Sequence, residues 1–339
     1  MDFSLATLWL TVIGFFLLYY AVTDGFGLGV GILCLFLKDQ NDRQQMVDSL
    51  TYIWHTNQTW LLIVGGILFG AFPMFYSILF SALYIPAVLM VVGFIFRGIA
   101  FDFSEHSKSK RFWNLNFGVG SLIATLAQGF ALGGLLSGIT VKNGHFAGGV
   151  WDWATPFTFL LTLGVLVGYL MLGTNYLILK TEGDLRRRSF HLSFIFTVTT
   201  LVLSGVVYLW IGLRYPQAGE KWISTPDLYY LLAVVLPAVF GFFMIFRSLH
   251  RKLEGAPLLW NAITVALGFL GLSLCLYPNM IPHVVAPVTV EAAAASPKTL
   301  TFMLIVMGLL LPVIIFYTTY TYRVFRGKVT SWQKNLKCK

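Results

Sequence analysis

Residues 54–103 read WHTNQTWLLIVGGILFGAFPMFYSILFSALYIPAVLMVVGFIFRGIAFDF. The stretch contains two apolar runs, each long enough to cross a bilayer as a helix, with a short turn at Phe72–Met74. Polar side chains open the first run, and Arg97 and Asp102 close the second. If the runs are antiparallel helices, both polar ends lie on the same side of the membrane. Ionisable groups in such positions are costly unless they are solvated, paired or functional, so these residues are the first candidates for a site.

The composition of the whole chain indicates a membrane protein. Of its 339 residues, 57% are hydrophobic and only 11% are charged, and the mean hydropathy is +0.77, whereas charged residues make up about a quarter of a soluble domain. The net charge of +9 does not indicate a nucleic-acid partner, because the basic residues are spread over loops between apolar runs. The three cysteines, Cys34, Cys275 and Cys338, form neither a metal-ligand spacing nor a disulfide framework.

The apolar pattern predicts an all-α integral membrane protein with nine transmembrane helices. The predicted spans are 5–36, 54–72, 78–101, 114–139, 154–179, 190–213, 227–246, 258–276 and 299–322. The long loop between the last two spans, rich in proline and alanine, is expected to form a cap packed on the outer end of the helices.

The loop charges predict that the N-terminus lies outside and the C-terminus inside, because basic residues gather in cytoplasmic loops. With this orientation 18 basic residues are inside and 4 are outside. The inner set is Lys38, Arg43, Lys108, Lys110, Arg111, Lys180, Arg186, Arg187, Arg188, Arg247, Arg251, Lys252, Arg323, Arg326, Lys328, Lys334, Lys337 and Lys339. The outer set is Lys142, Arg214, Lys221 and Lys298.

The first predicted span carries four glycines, Gly25, Gly27, Gly29 and Gly31. They do not satisfy the G-x-G-x-x-G dinucleotide fingerprint in either register, and no strand precedes them. Spaced four residues apart in pairs, they would give the helix two smooth faces that neighbouring backbones can approach closely. Gln128, in the fourth predicted span, is expected to form a hydrogen bond between helices.

Asp24, His55, Arg97 and Asp102 are all predicted to lie at or near the inner surface of the membrane. Asp24 follows Leu5 by about 19 residues, or roughly 28 Å of helix, which places it towards the inner side. Three of them come from three different predicted helices. We interpret them as a polar cluster that leads from the cytoplasm into the protein; the alternative is that each is a solvated helix end.

Several stretches, taken in order along the chain, resemble subunit II of the cytochrome bd quinol oxidases. They are TDGFGLGVG at 23–31, WHTNQTWL at 54–61 followed by GGILFGAFPMFY at 65–76, RGIAFDF at 97–103, GYLMLGTNYLILKTEGDL at 168–185, and YPNMIP at 277–282 with TLTFMLIVMGLLLPVIIFYTTYTYRVFRGKV at 299–329. The resemblance therefore runs from the first predicted span to the last.

The resemblance implies a haem-free subunit that forms a heterodimer with a haem-bearing subunit I in the bacterial cytoplasmic (inner) membrane. That complex oxidises quinol and reduces dioxygen to water, and its b- and d-type haems are held by subunit I, so no catalytic residue or metal ligand is expected on this chain. Subunit II would support assembly and contribute to proton uptake from the cytoplasm. The resemblance also implies two four-helix bundles plus one peripheral helix, and it is compatible with a structural quinone and a small single-span subunit.

The resemblance assigns the proton-path candidates residue by residue. Asp24 and Asp102 match acidic positions of the family, whereas Gly27 and His55 stand where the family has aspartates. Histidine as a residue type exchanges protons near physiological pH, so His55 is retained as a candidate with Asp24 and Asp102. The supporting polar or motif residues are Trp54, Asn57, Gln58, Trp60 and Arg97.

The histidines agree with a haem-free chain, because none falls in the middle of a span, where a chain that held an intramembrane haem alone would need an axial ligand. They are His55, His106, His145, His191, His250 and His283. The alternative function is a secondary transporter, which also has many spans and helix-breaking glycines. Transporters usually place polar binding groups near the midplane, where this sequence has almost no ionisable residue. Co-purification with a haem-bearing partner would favour the oxidase subunit.

Overall fold

The computed structural model describes residues 4–104, 107, 109–214, 224, 225, 227–282 and 288–329. Its helices are α1 Leu5–Phe36, α2 Gln40–Asp48, α3 Trp54–Ala71, α4 Pro73–Ala82, α5 Tyr84–Ser104, α6 Lys110–Ser137, α7 Pro156–Lys180, α8 Gly183–Arg214, α9 Asp227–His250, α10 Ala256–Leu276, α11 Val290–Ala293 and α12 Pro297–Val324. Two small antiparallel sheets lie in the loops, and they pair β1 Val141–Lys142 with β2 His145–Phe146 and β3 Asn279–Ile281 with β4 Val288–Thr289.

Eight of these helices are long and apolar enough to cross a membrane, namely α1, α5, α6, α7, α8, α9, α10 and α12. Helix α3 has 18 residues but does not reach the same hydropathy, because its first turns carry His55, Asn57 and Gln58. Among the residues that the structure covers there are thus eight candidate spans, as expected of a multi-pass membrane protein. A ninth span over 54–72 stays a prediction.

The second apolar run is divided into two helices, α4 and α5, and not the single span predicted over 78–101. Phe72 ends α3 with φ −134° and ψ 62°, and Pro73 opens α4, where the missing proline N–H costs nothing. Leu83, with φ −114° and ψ 26°, ends α4. Pro86 follows it and cannot donate to the carbonyl four residues earlier, so one continuous helix is disfavoured there.

Helix α1 is the centre of the molecule, and its glycines let two neighbours approach its backbone. A Cβ on Gly29 would lie 1.8 Å from the carbonyl oxygen of Tyr169 in α7, and one on Gly31 would lie 2.1 Å from Ser121 Oγ in α6. A Cβ on Gly173 of α7 would lie 2.6 Å from a backbone nitrogen of α1. The two predicted glycine faces are confirmed, since each packs against a different helix.

A cap formed by β3, β4 and α11 covers one end of the helices, and its packing agrees with the prediction made from the loop composition. Ile281, Val290 and Ala293 are buried in the same apolar core as Trp9 of α1. The backbone N–H of Ala295 donates to the carbonyl of α3's last residue at 2.8 Å. The cap therefore joins the N-terminal ends of α1 and α12.

The chain after α12 folds back over the opposite end of the molecule. The backbone N–H of Val329 donates to the carbonyl of Lys180 at 2.9 Å, and Gln45 Nε2 donates to the carbonyl of Val329 at 2.5 Å. Lys328 Nζ lies 2.8 Å from the Glu254 carboxylate, and its hydrogen bond lowers the pKa of that carboxyl. This segment ties α2, α7 and the loop before α10 together.

Some predicted assignments concern residues outside the described part of the chain. These are His106, His283, Cys338, Lys108, Lys221, Lys334, Lys337 and Lys339. Cys34 is a free, buried thiol.

Replacing Gly29 by alanine should force α1 away from α7, because the added methyl group would overlap a backbone carbonyl. Overpacking usually costs about 1–3 kcal/mol, and a backbone atom cannot turn aside as a side chain can, so we expect a loss of about 3 kcal/mol or more. Thermal unfolding of the purified protein measures this loss. The control is Gly168→Ala in α7, where the new Cβ would meet nothing within 4 Å. Equal stability of the two variants would contradict the close contact.

Candidate functional site

An ion pair between α1 and α5 lies completely inside the protein. Arg97 Nη1 and Nη2 donate to the two carboxylate oxygens of Asp24 at 2.8 and 2.7 Å, and both side chains are 0% exposed. Such bidentate, charge-assisted hydrogen bonds are among the strongest in proteins. A buried charge left without its partner is strongly destabilising, so each residue requires the other.

Hydrogen bonds beside this pair link α1 to α6 and α7. Tyr20 precedes Asp24 by one turn of α1, and Gln128 Nε2 donates to Tyr20 Oη at 2.7 Å. Tyr169 Oη in turn donates to Gln128 Oε1 at 2.7 Å. The predicted hydrogen bond of Gln128 between helices is thus confirmed, and it links α1 to α7.

The two tyrosines were missed at the sequence level. Tyr20 could have been found, because it precedes Asp24 by four positions and residues so spaced share one face of a helix. Tyr169 had no comparable signal, since its contact with Gln128 depends on how α6 and α7 are rotated.

Gly27 lies directly against the ion pair. A Cβ at this position would lie 3.3 Å from Arg97 Nη2 and 3.4 Å from Asp24 Oδ1. The family resemblance implies an aspartate at this position, and a carboxylate here would lie next to the same guanidinium group. Within the described ranges, Asp24 is the only acid paired with Arg97 in this chain.

Asn57 connects α3 to the first and last long helices. Its Nδ2 donates to the carbonyl of Thr23 at 2.9 Å, and its Oδ1 accepts from Tyr322 Oη at 2.7 Å. The side chain is 1% exposed. Because Thr23 is adjacent to Asp24, this amide places the polar start of α3 at the level of the buried ion pair.

His55 and Asp102 do not join that pair. The exposed His55 ring stacks on buried Trp54, with ring centroids 3.5 Å apart, and Asp102 is exposed in the last turn of α5. Neither side chain forms an ion pair or hydrogen bond with the rest of the described chain. Asp102 follows Arg97 by five positions, which turns it by about 140° around the helix axis. The predicted cluster is therefore divided into a buried pair and two exposed groups.

Gln58 and Trp60 place further polar atoms in the interior. Trp60 is 2% exposed and its ring packs against Tyr19, with centroids 4.7 Å apart. Gln58 Nε2, Trp60 Nε1, Arg97 Nε and Thr125 Oγ1 are buried and have no hydrogen-bond partner among the described residues. Buried polar atoms of this kind are commonly satisfied by ordered water.

The described histidines do not fit a haem held inside the membrane by this chain. His55 and His250 are exposed at helix ends, His191 is exposed within α8, and His145 is exposed in β2, whereas an axial haem ligand must point at an iron in the interior. In the part of the chain that the structure covers, no three His, Cys, Asp or Glu side chains are grouped so that they could hold a metal ion.

Comparison with known families gives the wider context of this site. The model of the cytochrome bd terminal oxidase subunit II family matches residues 5–325. The chain belongs to this family. Cytochrome bd-I ubiquinol oxidase subunit 2 from Escherichia coli (strain K12) is 27% identical over 95% of this chain and 94% of its own length. Cytochrome bd ubiquinol oxidase subunit 2 from Bacillus subtilis (strain 168) is 26% identical, over 96% and 97%. These relatives are subunits of oxidoreductase complexes, and membership favours the oxidase subunit over a transporter.

The fold is shared with a solved structure of the same kind. A chain in "The structure of bd oxidase from Geobacillus thermodenitrificans" superposes with a TM-score of 0.80, covering 95% of this chain and 98% of that one. The two sequences are only 16% identical, so this likeness concerns the fold alone. The all-helical arrangement is that of a bd oxidase chain.

Replacing Asp24 by asparagine should destabilise the protein by about 3–5 kcal/mol, because Arg97 would remain buried without its counter-charge. Adding Gly27→Asp to that variant should restore part of the loss, since a carboxylate at position 27 can reach the same guanidinium group. Thermal unfolding of the purified complex measures both effects.

The matched control is Asp184→Asn, which removes a solvent-exposed ion pair with Arg187 and should cost less than about 1 kcal/mol. The interpretation fails if Asp24→Asn is no worse than this control, or if the double variant is no more stable than Asp24→Asn alone.

Proposed function

We propose that this chain is the haem-free subunit II of a bacterial quinol:dioxygen oxidoreductase and pairs with a haem-bearing subunit I in the cytoplasmic membrane. The observation that carries this proposal is family membership over residues 5–325, together with relatives named as subunits of ubiquinol oxidases. In the complex, b- and d-type haems on subunit I catalyse quinol oxidation and dioxygen reduction to water. A structural quinone and a small single-span subunit remain predictions from the resemblance.

In this proposal the chain supports subunit I as a nine-span scaffold, with its N-terminus outside and its C-terminus inside. Helix α3 is the ninth span, and α12 is the peripheral helix, because only Leu300, Thr318 and Thr321 of α12 are buried. The two four-helix bundles are α1, α3, α5 and α6, and α7 to α10. Within these bundles α5 packs on α6, α7 on α8, and α9 on α10, and α7 also packs on α1 and α6 of the first bundle, which joins the two.

We further propose that protons for water formation enter the complex through the polar groups of α3 and α5. Protons cannot cross bare hydrocarbon, and they require titratable groups and water between helices. His55 and Asp102 are exposed at helix ends and form the entrance in this proposal. Beyond them, the buried atoms Gln58 Nε2 and Arg97 Nε, which have no hydrogen-bond partner in the described ranges, offer binding positions for water.

Asp24 has a different role in this path from the two exposed groups. A proton on its carboxylate would remove the counter-charge of Arg97, so Asp24 can carry a proton only while its ion pair is open. The closed pair instead fixes the carboxylate beside Tyr20, from which hydrogen bonds continue to Gln128 and Tyr169.

Replacing Asp102 by asparagine should slow oxidase turnover severalfold and leave haem content intact, because the change removes a proton-exchanging group and keeps the side-chain shape. The measurement combines oxygen consumption with the visible spectrum of the purified complex. Glu182→Gln is the control, since it removes another exposed carboxylate at a helix end. Loss of the haems from the Asp102 variant would indicate a role in assembly, and equal turnover of both variants would exclude Asp102 from the path.

Replacing His55 by alanine should lower turnover most at high pH, where protons are scarce and an exchanging group at the entrance matters more. Turnover is measured from pH 6 to 9 in the intact complex, with His250→Ala as an exposed-histidine control. An unchanged pH profile would remove His55 from the path without affecting the family assignment.

A further inference from the structure

A cavity of about 330 Å³ opens between α1 and α12, apart from the Asp24–Arg97 pair. Its walls are Tyr19, Thr318, Thr319, Tyr322, Arg323 and Arg326. On α12, positions 319, 322 and 323 follow the i, i+3, i+4 spacing that brings side chains to one helix face. Arg326 lies two residues beyond the end of α12 at Val324. The cavity is therefore built by one face of α12 and the residues just after it, opposite one aromatic residue of α1.

The chemistry of the walls suits an anion. Arg323 and Arg326 are exposed, and neither is paired with an acid in the described part of the chain. Thr318 is 4% exposed, and its Oγ1 has no hydrogen-bond partner among the described residues. A buried hydroxyl that makes no hydrogen bond is costly. This hydroxyl and the two guanidinium groups therefore favour a negatively charged hydrogen-bond acceptor in the cavity.

The surroundings of the cavity suit a hydrocarbon chain on the side away from the arginines. Phe15 precedes Tyr19 by one helical turn and is 56% exposed, and Ile315 precedes Thr319 by one turn and is 47% exposed. Helices α1 and α12 run in the same direction, since Trp9 near the start of one donates to the carbonyl of Leu300 near the start of the other. Both apolar side chains thus border the seam between the helices on the same side of the cavity.

We propose that this cavity is a binding site for an anionic phospholipid. The phosphate lies on Arg323 and Arg326, where charge-assisted hydrogen bonds hold it, and the Thr318 hydroxyl donates to it. An acyl chain follows the seam beside Phe15 and Ile315. Basic pockets between helices at the cytoplasmic end of a membrane protein are suited to anionic head groups, and the apolar seam distinguishes a lipid from a free phosphate ion.

The test uses the intact, delipidated complex, titrated with phosphatidylglycerol and followed by native mass spectrometry. The double variant R323Q/R326Q should bind one anionic lipid roughly 30-fold more weakly, because each basic residue near an anionic group contributes about fivefold. R323K/R326K keeps both charges and should bind within about fivefold of the wild type. The control R247Q/R251Q removes two basic residues at the end of α9 that do not line the cavity, and it should bind as the wild type does.

Thr318→Val provides a second measurement that does not depend on the arginine variant assembling, since it removes the hydroxyl and keeps the shape; it should weaken binding severalfold. The proposal is overturned if phosphatidylcholine binds the wild type as tightly as phosphatidylglycerol, or if R247Q/R251Q loses the lipid to the same extent as R323Q/R326Q. Inorganic phosphate that displaces the lipid and shows the same dependence on the arginines would identify a site for a free anion and overturn the lipid.

Discussion

A buried ion pair, which water does not reach, fixes the arrangement of the first half of this protein. Asp24 and Arg97 are 73 positions apart in sequence, yet neither could stay buried without the other. Glycines in α5 and α6 make this ion pair possible, because they let the two backbones approach closely. A Cβ on Gly120 of α6 would lie 3.0 Å from the backbone nitrogen of Arg97, and a Cβ on Gly93 of α5 would lie 2.7 Å from the carbonyl oxygen of Gly120. The backbone of α5 therefore packs directly on α6. This packing positions the guanidinium group of Arg97 against Asp24 of α1.

Gly27 keeps the charges of this buried site in balance. With glycine there, the buried cluster contains one carboxylate and one guanidinium group, and its formal charge is zero. An aspartate at position 27 would add a negative charge beside the same Arg97. A second buried carboxylate without a second cation is costly in a low-dielectric interior. In the proposed proton path, the entrance is therefore formed by the exposed groups His55 and Asp102, and the buried pair holds the geometry between them and Tyr20.

The sequence predicted those features that depend on position along a helix. The glycine spacing identified the faces of α1 that contact α6 and α7, and an amide in an apolar helix identified the hydrogen bonds of Gln128. Features that depend on rotation about the helix axis could not be predicted, because α1 and α5 are apolar on nearly all sides and no polar face marks their orientation. Asp102 was accordingly grouped with Arg97 although it points elsewhere. The division of α4 from α5 had a signal in Pro86, but the apolar run masked it.

The hydrogen bond from the Trp9 indole to the carbonyl of Leu300 joins two helices that are 291 residues apart in sequence. At 5–20 residues per second of protein synthesis, about 15–60 s separate the emergence of these two residues from the ribosome. The hydrogen bond can form only after α12 has been synthesised, so this side of α1 lacks its partner helix during that time. The last long helix, α12, therefore completes the packing around α1 only at the end of synthesis.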